Sequence, residues 1–414
     1  MTLTAIPVEP RPALSRSTPT MPDLWVGADV PVPVADGRRL RYADLDQAAT
    51  TPAFRSVRDT VDRFLDWSAS VHRGAGFKSR LSTDVYEQAR DVIGAFVGAD
   101  PRHDRVVFTR SATESLNIAA GLLDWRPGDV VAVSALEHHS NLLPWQRVAR
   151  LAWIEVDAEG RPRLDSLEAI LRREGGRVRM VVLSGASNVT GHRPPVHDAA
   201  VLAHAHGALM TVDAAQLVAH RAIEVGRPDD PARIDVLAFS GHKMHAPYGA
   251  GVLVGPASLL DAAEPRLIGG GAVRAVSRGG ATLLRGPDRH EAGSPNVTGA
   301  VAIAAAASAL RDIGFARIAR HEDALTRRLV SGLTAIPRVH LLGGSMPATD
   351  ERGAVASFVV EDVPPDEVTA VLSAEHAIGA RDGAFCAHPY LDTLTRHRDL
   401  PASARAYVGD CGVP

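Results

Sequence analysis

The stretch Asp235-Val236-Leu237-Ala238-Phe239-Ser240-Gly241-His242-Lys243-Met244 passes from an unbroken apolar run into small and polar residues. Such a run, closed by Ser and Gly, reads as a strand buried on both faces that empties into a loop at its carboxyl end. Lys243 stands just past that end. An ε-amine there is partly desolvated, the setting in which lysine serves as a Schiff-base nucleophile. A solvated loop lysine is the plainer alternative. Against it, the chain has few lysines, most of its basic residues being arginine, and this one is flanked by Ser, His and Gly.

Outward from Val236–Ser240, further segments read as strands: Arg105–Thr109, Asp129–Ser134, Trp153–Val156, Arg179–Leu183, Leu209–Asp213 and Gly251–Val254. Helix-length segments separate most of them, among them Glu114–Leu123, Asn141–Ala149, Leu164–Arg172 and Val196–Ala205. The alternation predicts an α/β fold whose large domain holds a mostly parallel, helix-covered sheet. After Pro295 the character shifts. Alanine-rich Val297–Ile313 and Phe315–Leu333 keep helical spacing. Val339–Leu342, Ala354–Val360, Asp366–Glu375 and Ile378–Arg381 then read strand, strand, helix, strand, a smaller C-terminal α+β domain. The expected plan is a proline-rich arm over 1–39, a large domain over 40–297 and a small domain over 298–414 that ends at Val408–Pro414 without a closing helix. Gly269-Gly270-Gly271 and Gly279-Gly280 do not follow a strand in G-x-G-x-x-G register and read as a mobile loop.

Composition narrows the classes. The chain has 414 residues, 45% hydrophobic and 22% charged, enough for a core that needs no disulfide or metal staple. Its 45 basic and 48 acidic residues, net charge -3, leave no basic footprint for nucleic acid or an anionic membrane. No apolar run reaches the roughly 18 residues of a membrane span. Met1–Pro22 carries five prolines and no apolar h-region, so a secretory signal is not expected. The two cysteines, Cys386 and Cys411, are too few for a disulfide scaffold and fit a reducing, cytoplasmic setting.

Ligands of open α/β sheets bind at the carboxyl ends of strands. Arg110-Ser111-Ala112-Thr113-Glu114 lies at one such end. A helix start with small hydroxyl residues suits a phosphate, although a plain N-cap by Ser111 or Thr113 is the commoner use of such a stretch taken alone. Thr211-Val212-Asp213-Ala214-Ala215-Gln216 ends another strand. Its aspartate can pair with a protonated ring nitrogen of a cofactor, or cap a helix. In Leu136-Glu137-His138-His139-Ser140-Asn141 a histidine can stack on a flat cofactor and shuttle protons. Adjacent His138-His139, and the His204/His206 and His242/His245 spacings, lack the partners of a metal site, so no metal is expected. Arg381-Asp382-Gly383-Ala384-Phe385-Cys386-Ala387-His388-Pro389 offers a cysteine in a Gly- and Pro-flanked loop near Arg and His, where a thiolate can form; a small buried cysteine is the bland alternative.

The blocks fall in a familiar order. Asp46-Gln47-Ala48-Ala49-Thr50-Thr51-Pro52, Val71-His72-Arg73-Gly74, Thr113-Glu114, Glu137-His138-His139-Ser140-Asn141-Leu142-Leu143-Pro144-Trp145, Ser187-Asn188-Val189-Thr190-Gly191, Val212-Asp213-Ala214-Ala215-Gln216, Ser240-Gly241-His242-Lys243 and Glu291-Ala292-Gly293-Ser294-Pro295-Asn296 resemble the class V aminotransferase-fold enzymes. The resemblance runs from about Tyr42 to Gly409 and is nearest to the SufS-like cysteine desulfurase and selenocysteine lyase group, whose R-x-G-x-x-C segment matches Arg381 to Cys386. It implies a fold-type-I enzyme that carries pyridoxal 5'-phosphate on Lys243. Asp213 would pair with the ring nitrogen, Gln216 contact the ring oxygen, and His138 stack on the ring. Thr113, Ser240 and His242 would hold the phosphate. Ser294 would reach the phosphate of a neighbouring subunit in a homodimer. Asn188, Arg405 and Arg381 would bind the substrate, and Cys386 would take sulfur from L-cysteine to leave L-alanine, with passage to a sulfur-acceptor protein as the sequel. Other class V reactions stay open: selenocysteine lysis, amino-group transfer, racemisation and C–S lysis, or a non-catalytic cofactor-binding paralogue. Three departures stand out. Gly383-Ala384-Phe385-Cys386 replaces the family's G-H-H-C, the stretch from Cys386 to Arg405 is longer than usual, and Tyr407 replaces the serine of R-A-S.

Overall fold

The computed structural model describes residues 24–344, 351–396 and 400. Arg405, Tyr407, Cys411, the expected ending without a helix and most of the proline-rich arm lie outside the described residues. Seven strands form one sheet, numbered here in chain order: β1 Asp104–Thr109, β2 Val130–Ser134, β3 Arg150–Ile154, β4 Val178–Ser184, β5 Leu209–Asp213, β6 Val236–Ser240 and β7 Gly251–Pro256. Their order is β1-β7-β6-β5-β4-β2-β3. β2 runs parallel to β3 and β4, β4 to β5 and β5 to β6, while β7 is antiparallel to β1. The mixed α/β fold with a mostly parallel sheet, expected from sequence, is what forms. All five residues of β2 and of β6 are buried, as strands covered on both faces require.

The described residues group into two compact units that divide within β6, after Ala238. The first unit takes residues up to Ala28, Thr50–Leu122 and Phe239–Ile313. Helices Arg55–Leu65 and Phe77–Phe96, not expected from sequence, pack here against helix Val297–Ile313. Phe64, Leu81, Val85 and Val301 form a buried cluster of this packing. Asn296 caps the last helix, its Oδ1 accepting the Gly299 N–H at 2.9 Å. Of the glycines read as a mobile loop, Gly279 and Gly280 instead belong to a hairpin, Val273–Ser277 against Gly280–Leu283, and Gly269–Gly271 lie in the bend and turn ahead of it. Its residues are mostly exposed, so the apolar periodicity that marks a buried strand is missing.

The second unit takes Asp29–Ala49, Leu123–Ala238 and the described residues from Gly314 onward. Pro31–Pro33 pairs with Arg39–Arg41, so this part of the expected arm is a hairpin; proline is tolerated there because the strand lies at an edge. β3 starts three residues before and ends two residues before the expected Trp153–Val156, and Trp153 faces outward, 41% exposed, on this edge strand. The expected helix Asn141–Ala149 is a 3-10 turn, His139–Asn141, and a short helix, Leu143–Gln146, with Pro144 in its first turn. Val196–Ala205 forms as expected, Leu164–Glu174 extends the expected helix by two residues and Phe315–Thr334 by one. Val339–Leu341 pairs with Phe358–Val360, and Ile378–Gly379 pairs parallel to Ala43–Asp44.

Candidate active site

In the first unit, β6 ends at Ser240 and the chain turns through Gly241–Lys243 as one 3-10 turn. A Cβ on Gly241 would lie 3.0 Å from the Ala246 and Ala250 carbonyl oxygens, so any side chain there is crowded by backbone. The His242 carbonyl accepts the Thr51 N–H at 2.8 Å, the Thr51 hydroxyl at 3.1 Å and the Thr50 hydroxyl at 3.2 Å. The turn that carries Lys243 is therefore fixed through its backbone. Lys243 and His242 are half-buried, and burial, then the Lys243 charge, lowers the affinity of His242 for a proton. The chain's other lysine, Lys78, is exposed and donates to the Asp66 carbonyl at 2.8 Å. This leaves Lys243 as the partly enclosed amine at a strand end.

The start of helix Ala112–Ala119 lies at the same sheet edge, because Gly251 at the start of β7 pairs with Thr109 at the end of β1. Ser111 occupies the N-cap position, but its hydroxyl makes no capping bond. The Ser240 hydroxyl accepts the Ala112 N–H at 2.7 Å instead, tying the lysine strand to the helix start. A cleft of about 530 Å³ opens here, lined by Arg110, Ser111, Thr113, Glu114, Asn117 and Arg266. A helix start with exposed Thr113 beside two arginines suits a phosphate by its chemistry. Ser294 is exposed, just ahead of the helix capped by Asn296.

In the second unit, β4 and β5 end side by side, Ser184 in register with Asp213, and β2 lies next to β4. The loops with His138, Asn188 and Asp213 leave one edge. Asp213 is 6% exposed, and its Oδ1 accepts the Ala215 N–H at 2.9 Å. A buried carboxylate oriented by a backbone donor is suited to hold a proton on a basic ring nitrogen. The Gln216 side-chain amide donates to the Ala48 carbonyl at 2.7 Å. His138 is half-buried, and its Nδ1 accepts the Ser140 N–H at 3.1 Å, which sets the ring at the head of the 3-10 turn.

Behind His138 lies Glu137, a residue quoted in the sequence motif but given no role there. It is 1% exposed and accepts from the Ser134 hydroxyl, the Ser184 N–H and hydroxyl, and the Asn141 amide, at 2.6 to 3.0 Å. Burial raises its proton affinity to about pKa 7 despite these donors. The cysteine loop meets the same edge. Asn188 Nδ2 donates to the Phe385 carbonyl at 2.8 Å and the His139 N–H donates to the Cys386 carbonyl at 2.7 Å. Cys386 is exposed, which sets aside the bland reading of a small buried cysteine. Arg381 is held by Asp46 in a bidentate pair at 3.0 and 3.1 Å. The second unit thus brings His138, Asn188 and Cys386 to one edge, and gives Arg381 an acidic partner. Thr50 and Thr51, clamped on His242, were also missed as site builders; their place in the quoted D-x-A-A-T-T-P block was the available signal.

Residues 43–409 match the family described as aminotransferase class-V. Among curated relatives, a probable cysteine desulfurase of Streptomyces coelicolor is 36% identical over 387 residues, covering 90% of this chain and 88% of that protein. One of Halobacterium salinarum is 37% identical, covering 92% and 90%. Among solved structures, the apo cysteine desulfurase of Thermococcus onnurineus superimposes with a TM-score of 0.78 at 35% identity, covering 86% of this chain and 87% of that one. The S-sulfonic acid form of an Escherichia coli cysteine desulfurase gives 0.75 at 32% identity, covering 86% and 87%.

Proposed function

The chain belongs to the class-V aminotransferase family, and from that premise we propose that it is a pyridoxal 5'-phosphate enzyme that takes sulfur from L-cysteine, leaving L-alanine and a persulfide on Cys386. The observation that carries this reading is the cysteine turn, whose Phe385 and Cys386 carbonyls are gripped by Asn188 and by His139, next to His138. A cysteine exposed at the strand ends of such a fold serves chemistry on a bound ligand and not packing.

The donor set fits the cofactor by chemistry. A primary amine, a buried carboxylate, a half-buried imidazole and a hydroxyl-bearing helix start correspond to its aldehyde, ring nitrogen, ring face and phosphate. Thr113, Ser240 and His242 would hold the phosphate, Asp213 the ring nitrogen, Gln216 the ring oxygen and His138 the ring face. When bound, the cofactor supplies an aldehyde that condenses with amines and a ring that draws electrons from the carbon bearing the amino group.

This chain's residues do the rest. Asn188, with Arg405, would orient the substrate carboxylate, and Arg381, held by Asp46, would stand at the substrate's approach. Lys243 Nζ would take the proton from the substrate α-carbon. The Cys386 thiolate would attack the substrate sulfur. A sulfur–sulfur bond forms as the carbon–sulfur bond breaks, the electron pair stays with the carbon, which takes up a proton, and Lys243 would return a proton to the α-carbon before alanine leaves. We further propose a cytoplasmic homodimer in which Ser294 serves the phosphate of the neighbouring subunit, a large and a small domain dividing near residue 297, and a sulfur-acceptor protein downstream.

Incubation of the purified protein, supplied with pyridoxal 5'-phosphate, with L-cysteine tests the reading. Alanine should appear with wild type and not with Cys386→Ala, while Cys386→Ala retains the bound cofactor. Full activity of Cys386→Ala would refute it, and keto acid in place of alanine would assign amino-group transfer. Parallel incubation with L-selenocysteine decides between the two lyase substrates.

A further inference from the structure

The turn that presents Cys386 is strained. Phe385 and Cys386 both adopt left-handed backbone, with φ of 50° and 54°. Such a conformation costs a residue with a side chain on the order of 1 kcal/mol or more, so neighbours must impose it. Three restraints are already described or nearby: the bonds from Asn188 and His139 to the two carbonyls, and the packing of Phe385 on the core cluster around Leu136, Val189 and Tyr390.

A fourth comes from His388, two residues after the cysteine and the first residue of helix His388–Arg396. Its ring lies parallel to that of His139, centroids 4.9 Å apart and planes 12° apart, with His388 Nδ1 3.0 Å from His139 Nε2. The His388 backbone N–H, at the start of its helix, also donates to His139 Nε2, at 3.4 Å. A backbone N–H can only donate, so His139 Nε2 is the acceptor of both. His139 is then neutral with its proton on Nδ1, and His388 donates from Nδ1. Burial first, and the His388 charge second, hold His139 below the usual histidine range, which agrees with this assignment.

Where the family pattern has two histidines ahead of the cysteine, this chain has Ala384-Phe385. The structure supplies a histidine pair from other directions. We propose that His388 is a positioning residue that, through His139, clamps the strained turn holding Cys386, in place of the histidines missing before it. This rests on the reading of Cys386 as the sulfur-accepting residue.

A proton added to His139 Nε2 removes the acceptor of both donors, so the clamp opens as pH falls. Other ionisable groups around the pair are accounted for. The His138 ring lies 6.4 Å from that of His139, tilted by 46°. Glu137 turns its carboxyl to Ser134, Ser184 and Asn141. Asp392 pairs with Arg396, Asp382 accepts from Thr369, and Arg381 is held by Asp46.

The test compares wild type, His388→Ala and His388→Asn as full chains supplied with pyridoxal 5'-phosphate. It measures kcat and KM for alanine release from L-cysteine between about pH 6 and pH 9, either side of the histidine range, together with hydrogen exchange of residues 384–391. His388→Ala should lower kcat about tenfold with KM within about twofold, since the thiol is misplaced and not the substrate. It should also lower amide protection of the segment about tenfold. His388→Asn keeps a side-chain donor and has no proton to gain. It should hold kcat within about threefold of wild type and keep the acid limb of the pH profile, because the acceptor that gains the proton, His139, is unchanged. His388→Ala with wild-type kcat and protection, or a loss confined to KM, would overturn the proposal. If wild type releases no alanine, the desulfurase reading fails by itself, and the exchange data still decide whether His388 clamps the turn.

Discussion

The turn that carries Lys243 and the turn that carries Cys386 differ in exposure and in how tightly their backbone is packed. The lysine turn is fixed by backbone and packing: Gly241 is pressed between the Ala246 and Ala250 carbonyls, and the His242 carbonyl accepts three donors from Thr50 and Thr51. The cysteine turn is exposed, bends through two left-handed non-glycine residues and is held at its edges by the Asn188 amide, the His139 backbone N–H and the His139–His388 pair. A residue that anchors a resident group gains from immobility, so its support is built into the core. A nucleophile that must meet substrate and then pass sulfur on gains from exposure, and its geometry then depends on detachable polar contacts.

The comparison can be broken most forcefully at the lysine. Lys243→Ala should lower turnover of L-cysteine about 10³-fold or more, while Lys78→Ala on the surface should leave it unchanged; equal losses would deny the assignment. Stability should respond in opposite senses at the two turns, as read from urea midpoints. Gly241→Ala forces a methyl against two carbonyl oxygens and should cost about 1–3 kcal/mol. Cys386→Gly relieves left-handed strain and should be about 1 kcal/mol more stable than Cys386→Ala.

Glu137 links the cysteine side to pH. Its carboxyl keeps a proton in the fold up to about pH 7, against 4.5 as the ordinary value. The unfolded chain releases that proton first, so this group's contribution is full below about pH 4.5, declines as pH rises, and levels off above about pH 7. The decline should be on the order of 3 kcal/mol and absent in Glu137→Gln; parallel pH curves for the two proteins would contradict it. The smallest effect is expected where the cysteine loop meets Asp46. Arg381 and Asp46 form a partly exposed pair, with side chains 54% and 32% accessible. A double-mutant cycle with Arg381→Ala and Asp46→Ala should return a coupling of at most about 1 kcal/mol; a larger value would give that pair a share in holding the turn.

Much of the lysine side was legible in the sequence and less of the cysteine side. Val236–Ser240 and Leu209–Asp213 announce themselves because strands covered on both faces are continuously apolar, and Ser, Asp or Gly then marks the exit to a ligand-facing loop. Arg55–Leu65 and Phe77–Phe96 were not expected from sequence, although each buries a stripe at helical spacing, Val57, Val61 and Phe64 in the first, and packs on Val297–Ile313. The hairpin Val273–Leu283 gives no signal, since little of it is buried. At the cysteine, sequence could mark the missing histidines before Cys386. It could not say that His139 and His388, far apart in the chain, would stack, because contacts across such separations are set by packing and not by local pattern. The same holds for the burial of Glu137 behind His138.

The most direct test of the central claim is mass spectrometry of the peptide containing Cys386 after brief reaction of the cofactor-loaded protein with L-cysteine. The account predicts that this peptide gains one sulfur atom, in step with alanine released, and that the peptide containing Cys411 does not. Alanine formed while Cys386 stays an unmodified thiol would contradict it.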